Sequence, residues 1–154
     1  MPIPAGGPVD PSRMHALAIH DLLRAAVPVE VDVYNGRVDK ADADLTWPYL
    51  VVWSQPGTRD MDSLAGYTGG GVRTVTQVTA AGTTVDEVLA WLDRAAGALH
   101  GVCPIIAGRD CGLIGQLPGT QPPQPRPDPR VKTAAGNSIL FSFALFGLFS
   151  TPAA

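Results

Sequence analysis

The chain has 154 residues, of which 45% are hydrophobic and 16% charged, and its formal net charge is -3. That length fits one domain with enough apolar material for a core. The negative balance excludes a broad basic face for nucleic acid, since Arg13, Arg24, Arg37, Arg59, Arg73, Arg94 and Arg109 are dispersed. With 17 glycines and 15 prolines, much of the chain should be loop.

Residues 1–10 are rich in proline and glycine and are expected to form an extended arm. They show no basic region followed by an apolar one, so no secretory leader is expected and disulfides are not anticipated. Asp10-Pro11 is a helix start, with aspartate as cap and proline at the first position. Met14, Leu17, Ala18, Leu22 and Ala25 then repeat at helical spacing, and the helix should end near Ala26, before Pro28. His15 and His20 fall off that stripe and are expected at solvated or rim positions.

Val29, Val31 and Val33 alternate with acids and predict a strand buried on one face, closed by a turn at Asn35-Gly36. "PYLVVWS" is apolar on both sides and predicts a central strand. The segment 55–71 reads as a long loop, with a short strand possible around 61–67. "VRTVTQVTA" predicts a further strand. A helix follows in "TTVDEVLAWLDRAAGALHG": Thr84 and Glu87 make a capping box, and Gly101 stands at the C-terminal cap. Its buried stripe is expected to be Val85, Val88, Leu89, Leu92, Ala96 and Leu99, with Trp91 at the edge as core or contact surface.

"VCPIIAG" and "CGLIGQLPG" read as a short hairpin about Gly108-Arg109-Asp110, carrying Cys103 and Cys111 as two reduced thiols; a disulfide or metal site is the alternative. The proline-dense segment 122–130 predicts an exposed extended stretch within a loop at 118–131. "SILFSFALFGLFSTP" closes the chain. A spanning helix needs roughly 20 apolar residues, and this run stops short at Ser150. Its aromatics favour a strand with two apolar faces. One face, which includes Phe143, is expected to pack on the helices; the end near Phe146 and Phe149 is expected at a subunit boundary. The order defines one α+β domain over 11–150, a mixed or mostly antiparallel sheet flanked by two main helices.

No catalytic motif emerges. His15, His20 and His100 lack ligands at metal spacing, no Gly-x-Ser-x-Gly elbow is present, and the glycines at 69–71 are not followed by Gly-Lys-Ser/Thr. Asp39, Asp42 and Asp44 lack the glycine and closing glutamate of a calcium loop. The expectation is a structural protein, with no enzyme activity, cofactor or metal.

The leading helix, then "VYNGRV", a short polar link to "WPYLVVW", a valine/threonine strand and "TTVDEVLAWLDRAAGAL" resemble the tail terminator (tail completion) proteins of long-tailed, siphovirus-like bacteriophages, especially those of actinobacterial hosts. The resemblance covers roughly residues 12–100, with the last strand matching in order. It implies a virion protein at the tail–neck junction, made in the host cytoplasm. A homo-hexameric ring would cap the head-proximal end of the tail tube, end tube polymerisation and join tail to head. Its partners would be further copies of the chain, the major tail tube protein and a head-completion neck protein, with phage DNA passing through the lumen without specific binding and no membrane involved. On this reading Trp91, Phe146, Phe149, Arg59, Asp60, Arg126 and Arg130 are the candidate subunit or tube contacts. Two alternatives stay open. One is a head-completion (stopper or adaptor) protein of the neck. The other is a small bacterial enzyme or ligand-binding domain, which would need Cys103, Cys111 or His100 near carboxylates in a pocket.

Overall fold

The computed structural model describes residues 10–41, 44–59, 70–118 and 122–153. The expected arm lies almost wholly outside them, as do Asp42, Asp60 and the possible strand at 61–67. Two helices, α1 (Pro11–Ala26) and α2 (Val85–Leu99), pack on one face of an eight-stranded sheet. The strands are β1 (Asp32–Asn35), β2 (Tyr49–Ser54), β3 (Thr58–Arg59), β4 (Val72–Gly82), β5 (Arg109–Cys111), β6 (Gly115–Gln116), β7 (Arg126–Lys132) and β8 (Ser138–Pro152). The main order is β1-β2-β4-β8-β5, with β3 on β4 and both β6 and β7 on β8. Among the described residues only the β1–β2 pair is parallel. The α+β class expected from the sequence is the class observed.

Strand β8 organises the sheet. One edge pairs with β4 continuously from Leu140 to Ser150, and the other is shared by β7, β6 and β5 in turn. Its even-numbered residues Ala144, Phe146 and Leu148 join Leu50, Val52, Val78 and Ala80 under the helices. Phe146 is fully buried there. The expected placement is therefore reversed: Phe146 belongs to the core rather than to a boundary, and Phe143 points to the other face, half-exposed. Period two separates the faces of a strand that is apolar on both, and it carries no information on which face meets the helices.

Both helices start as their caps predict. The Asp10 carboxylate accepts from Ser12 N at 3.1 Å, and Thr84 Oγ1 accepts from Glu87 N at 3.2 Å. The Glu87 carboxylate reaches back one residue further than a capping box requires, accepting from Thr83 N and Thr83 Oγ1, each at 2.8 Å. These bonds, the Thr83 hydroxyl first, hold the Glu87 carboxyl below its ordinary range. Gly101 takes φ +77, the left-handed conformation that closes a helix.

Both buried stripes are rotated from expectation. In α1 the centre is His15, Ile19 and Leu23, while Leu17 and Ala25 face solvent. In α2 the centre is Val88, Leu92, Ala95 and Leu99, while Val85 and Leu89 are exposed. Three other expectations fail locally. Val29 is exposed and precedes β1 rather than opening it. Residues 102–108 form no strand, and β5 and β6 each pair with β8 instead of with each other. Residues 126–132 are a strand rather than loop: β8 supplies a long free edge, and an irregular edge strand tolerates prolines.

Candidate interaction surface

The face of the sheet turned away from the helices is built from the odd-numbered residues of β2, β4 and β8. Register places them in rows across the sheet: Tyr49–Ala81–Phe141, Val51–Thr79–Phe143, Trp53–Gln77–Leu145 and, on two strands, Arg73–Phe149. One end of this face has its own small core. Tyr49, Val51, Ala81 and Ile139 are buried there beneath Val38, Leu45, Trp47 and Val131 from the 36–48 connection and β7. Asp32 pins that connection, accepting from Lys40 Nζ at 2.7 Å, Tyr34 Oη at 3.1 Å and Thr46 Oγ1 at 3.2 Å. The Lys40 bond leads the effects that hold the Asp32 carboxyl below its usual range.

Beyond this cover the face is bare of further layers among the described residues: Trp53 is 45% exposed, and Phe143, Leu145 and Phe149 are half-buried. Arg73 lies over the Phe149 ring with its guanidinium carbon 5.3 Å from the centroid, a cation–π contact. Two shallow cavities open on the face: one of about 170 Å³ between Trp53, Val51, Phe141 and Val131, and one of about 220 Å³ between Arg73, Phe149, Leu113 and Leu117. At the second, a Cβ on Gly147 would stand 3.0 Å from Leu117 Cδ2, so glycine keeps the strand low enough for Leu117 to cross it. Partly exposed aromatics in a strip with charge only at its flanks, Arg73 and Asp128, have the composition of an interface centre.

The residues singled out from sequence do not converge. Phe149 lies on the bare face. Phe146 lies in the core on the opposite side of the sheet. Trp91 is half-buried on α2, with Arg94 stacked 5.0 Å from its ring centroid. Arg59 is exposed at the end of β3, and Arg126 and Arg130 are exposed on β7. Asp60 lies outside the described residues. Trp53 and Leu145, not singled out from sequence, and Phe143, expected toward the helices, share this face with Phe149. The signal available for them was their shared parity on two strands that are apolar on both faces.

A second polar feature lies beneath the sheet. His15 is fully buried, with Nδ1 at 2.7 Å from Thr74 Oγ1 and Nε2 at 2.6 Å from Ser150 Oγ. Arg109 Nε donates to Ser150 Oγ at 3.0 Å, and its Nη2 donates to the carbonyl oxygens of Ser150 and Gly70. With Arg109 donating to Ser150 Oγ, the Ser150 proton is available to His15 Nε2, and a ring proton on Nδ1 would then donate to Thr74, whose hydroxyl faces the Leu148 carbonyl at 3.5 Å. Burial, then the nearby Arg109 charge, lower the pKa of the imidazole and favour its neutral form. The solvated position expected for His15 is thus corrected: two hydroxyls from β4 and β8 supply partners that make a buried imidazole affordable. Ser150 and His15 are both fully covered, so this pair is a strut of the core.

His20 sits at the rim as expected, its Nε2 3.1 Å from the Val33 carbonyl oxygen. Both cysteines are free, and Cys103 Sγ donates to the Cys111 carbonyl oxygen at 3.1 Å. Burial, then Cys103, pushes the Cys111 thiol up, away from a reactive thiolate. His100 Nδ1 accepts from Gln116 N at 3.2 Å. Among the described residues no three His, Cys, Asp or Glu side chains group in a way that could hold a metal ion, and no helix is long and apolar enough to cross a membrane.

No family model matches the chain, and no curated protein matches it. Among solved structures, it is similar to a chain from the virion of a native gene transfer agent particle, at 15% identity and a TM-score of 0.50, covering 93% of this chain and 94% of that one. The likeness is one of fold, and it extends over nearly the full length of both chains.

Proposed function

We propose that this chain is a structural protein of a phage-like virion, and that it works as the tail terminator. A ring of copies caps the head-proximal end of the tail tube, ends its polymerisation and presents the opposite surface to a neck protein. The observation that carries this reading is the bare strip of Trp53, Phe143, Leu145 and Phe149, which asks for a protein partner rather than a small molecule. The full-length likeness in fold to a chain of a gene transfer agent virion supports it, as does the resemblance over residues 12–100. A closed ring of identical contacts would cover such a strip on every copy. A net charge of -3 suits a lumen through which DNA moves, because neutralising phosphates would hold it.

The test is electron microscopy of lysates from a phage lacking this gene. Full heads beside unattached tails of abnormal length are expected. Tails of normal length beside heads that have lost their DNA would instead place the protein in the neck as a head-completion protein.

A further inference from the structure

The two broad faces of the sandwich differ in charge. Strands β2, β4 and β8 together carry one charged side chain, Arg73, and it lies on the bare face. The adjoining β7 adds Arg126, Arg130 and Lys132 against the single carboxylate of Asp128. On the other side of the molecule, α2 turns outward Val85 and Leu89, which are 45% and 44% exposed, with Asp86 and Asp93 beside them. Arg94 on that helix is engaged with Trp91. The two apolar residues are one helical turn apart and open onto a groove of about 420 Å³ bordered by Pro122–Pro125. One face is thus apolar with a border of net positive charge, although Asp128 lines its cavity beside Trp53, and the other is apolar with a border of net negative charge.

We propose that in the ring the outward side of α2 of one copy seats on the bare sheet face of the next copy. This rests on the ring reading above. Val85 and Leu89 meet Trp53, Phe143 and Leu145, while Asp86 and Asp93 meet Arg73 and the arginines of β7. The lengths agree: 15 residues of helix span about 22 Å at 1.5 Å per residue, and the uncovered strand from Phe143 to Phe149 spans about 20 Å. Charge selects this pairing over the two symmetric ones. Sheet on sheet would set Arg73 and the β7 cations against their own copies, and helix on helix would oppose Asp86 and Asp93 to theirs. Contact between two different faces is heterologous, so it propagates from copy to copy rather than stopping at a dimer, and it closes into a ring when the rotation between neighbouring copies closes.

The test uses disulfide trapping in a chain with Cys103→Ser and Cys111→Ser, carrying Trp53→Cys, Leu89→Cys or both. Both positions are exposed, so the fold is retained. Oxidation of the concentrated protein should give a ladder of covalent oligomers up to the ring only in the double variant, with monomers alone in each single variant. Asp93→Arg should lower assembly at least tenfold, and Arg73→Glu should restore it. Covalent dimers from Leu89→Cys or Trp53→Cys alone would overturn the proposal in favour of a symmetric contact. Rings seen by light scattering without a ladder would overturn this pairing of faces and leave the capping role standing. A chain that is monomeric both in solution and in particles would overturn both.

Discussion

His15 Nε2 lies 2.6 Å from Ser150 Oγ, joining the first helix to the last strand across 135 residues of chain. Thr74 on the central strand completes the bridge through Nδ1. The cluster ties α1, β4, β8 and, through Arg109, β5 into one unit. Replacing His15 by alanine opens a cavity and removes two hydrogen bonds, leaving Ser150 with Arg109 and Thr74 with the Leu148 carbonyl. The two lost bonds should cost about 0.5–1.5 kcal/mol each. Urea titration should show a lower midpoint at unchanged slope; an unchanged midpoint would mean that the bridge adds nothing to stability.

The same residue makes stability depend on pH. Its folded pKa lies below the ordinary 6.5 because the charged ring is desolvated and faces Arg109. Near neutrality both states hold the neutral ring and there is no effect. Below about 6.5 the unfolded chain binds a proton that the native chain resists, so stability falls with pH until the folded pKa is reached, at up to about 1.4 kcal/mol per pH unit. Unfolding free energies at pH 7.5, 6.5 and 5.5 should show the decline in the native chain, and it should flatten in His15→Gln. Equal slopes in the two proteins would remove His15 as the cause.

At the start of α2, the Glu87 carboxylate accepts from Thr83 N and Thr83 Oγ1, and the Glu87 N–H donates to Thr84 Oγ1. Thr84→Ala and Glu87→Ala should each destabilise by about 1 kcal/mol, the scale of a lost cap. The carboxylate's share is present above its unfolded pKa near 4.5 and is lost as pH falls through the lowered folded value. The difference between native protein and Glu87→Ala should therefore shrink below pH 4. A gap that persists at pH 3 would point to lost packing rather than lost charge.

Caps, strand positions and the α+β class were legible because each rests on local rules: Asp10-Pro11, Thr84 with Glu87, and apolar runs at β2, β4 and β8. What was illegible depended on partners far along the chain. His15 could centre a buried stripe only because Thr74 and Ser150 arrive beside it. The proline-rich residues 126–132 became a strand only because β8 left an edge open. Val85 and Leu89 fit an apolar period, yet the sheet takes the neighbouring stripe and leaves them outside. The bare face was half legible: two apolar faces on β8 were evident, but the choice of Phe146 over Phe143 for the core was a tertiary decision.

That choice yields the sharpest contrast. Phe146 is fully buried beneath both helices, and an aspartate there would be an unpaired charge in an apolar core, costing several kcal/mol. A domain of this kind holds about 5–15 kcal/mol in reserve, so Phe146→Asp should leave the chain largely unfolded by circular dichroism. Phe143 and Phe149 are half-buried on the opposite face, where an aspartate keeps access to water. Phe143→Asp and Phe149→Asp should fold with a loss of roughly 1 kcal/mol, about half the burial of one side chain. In exchange they should lose self-association measured by sedimentation, because a carboxylate would sit in the centre of the strip. If Phe143→Asp unfolds as fully as Phe146→Asp, the outer face is part of the monomer's core and the strip is not an interface.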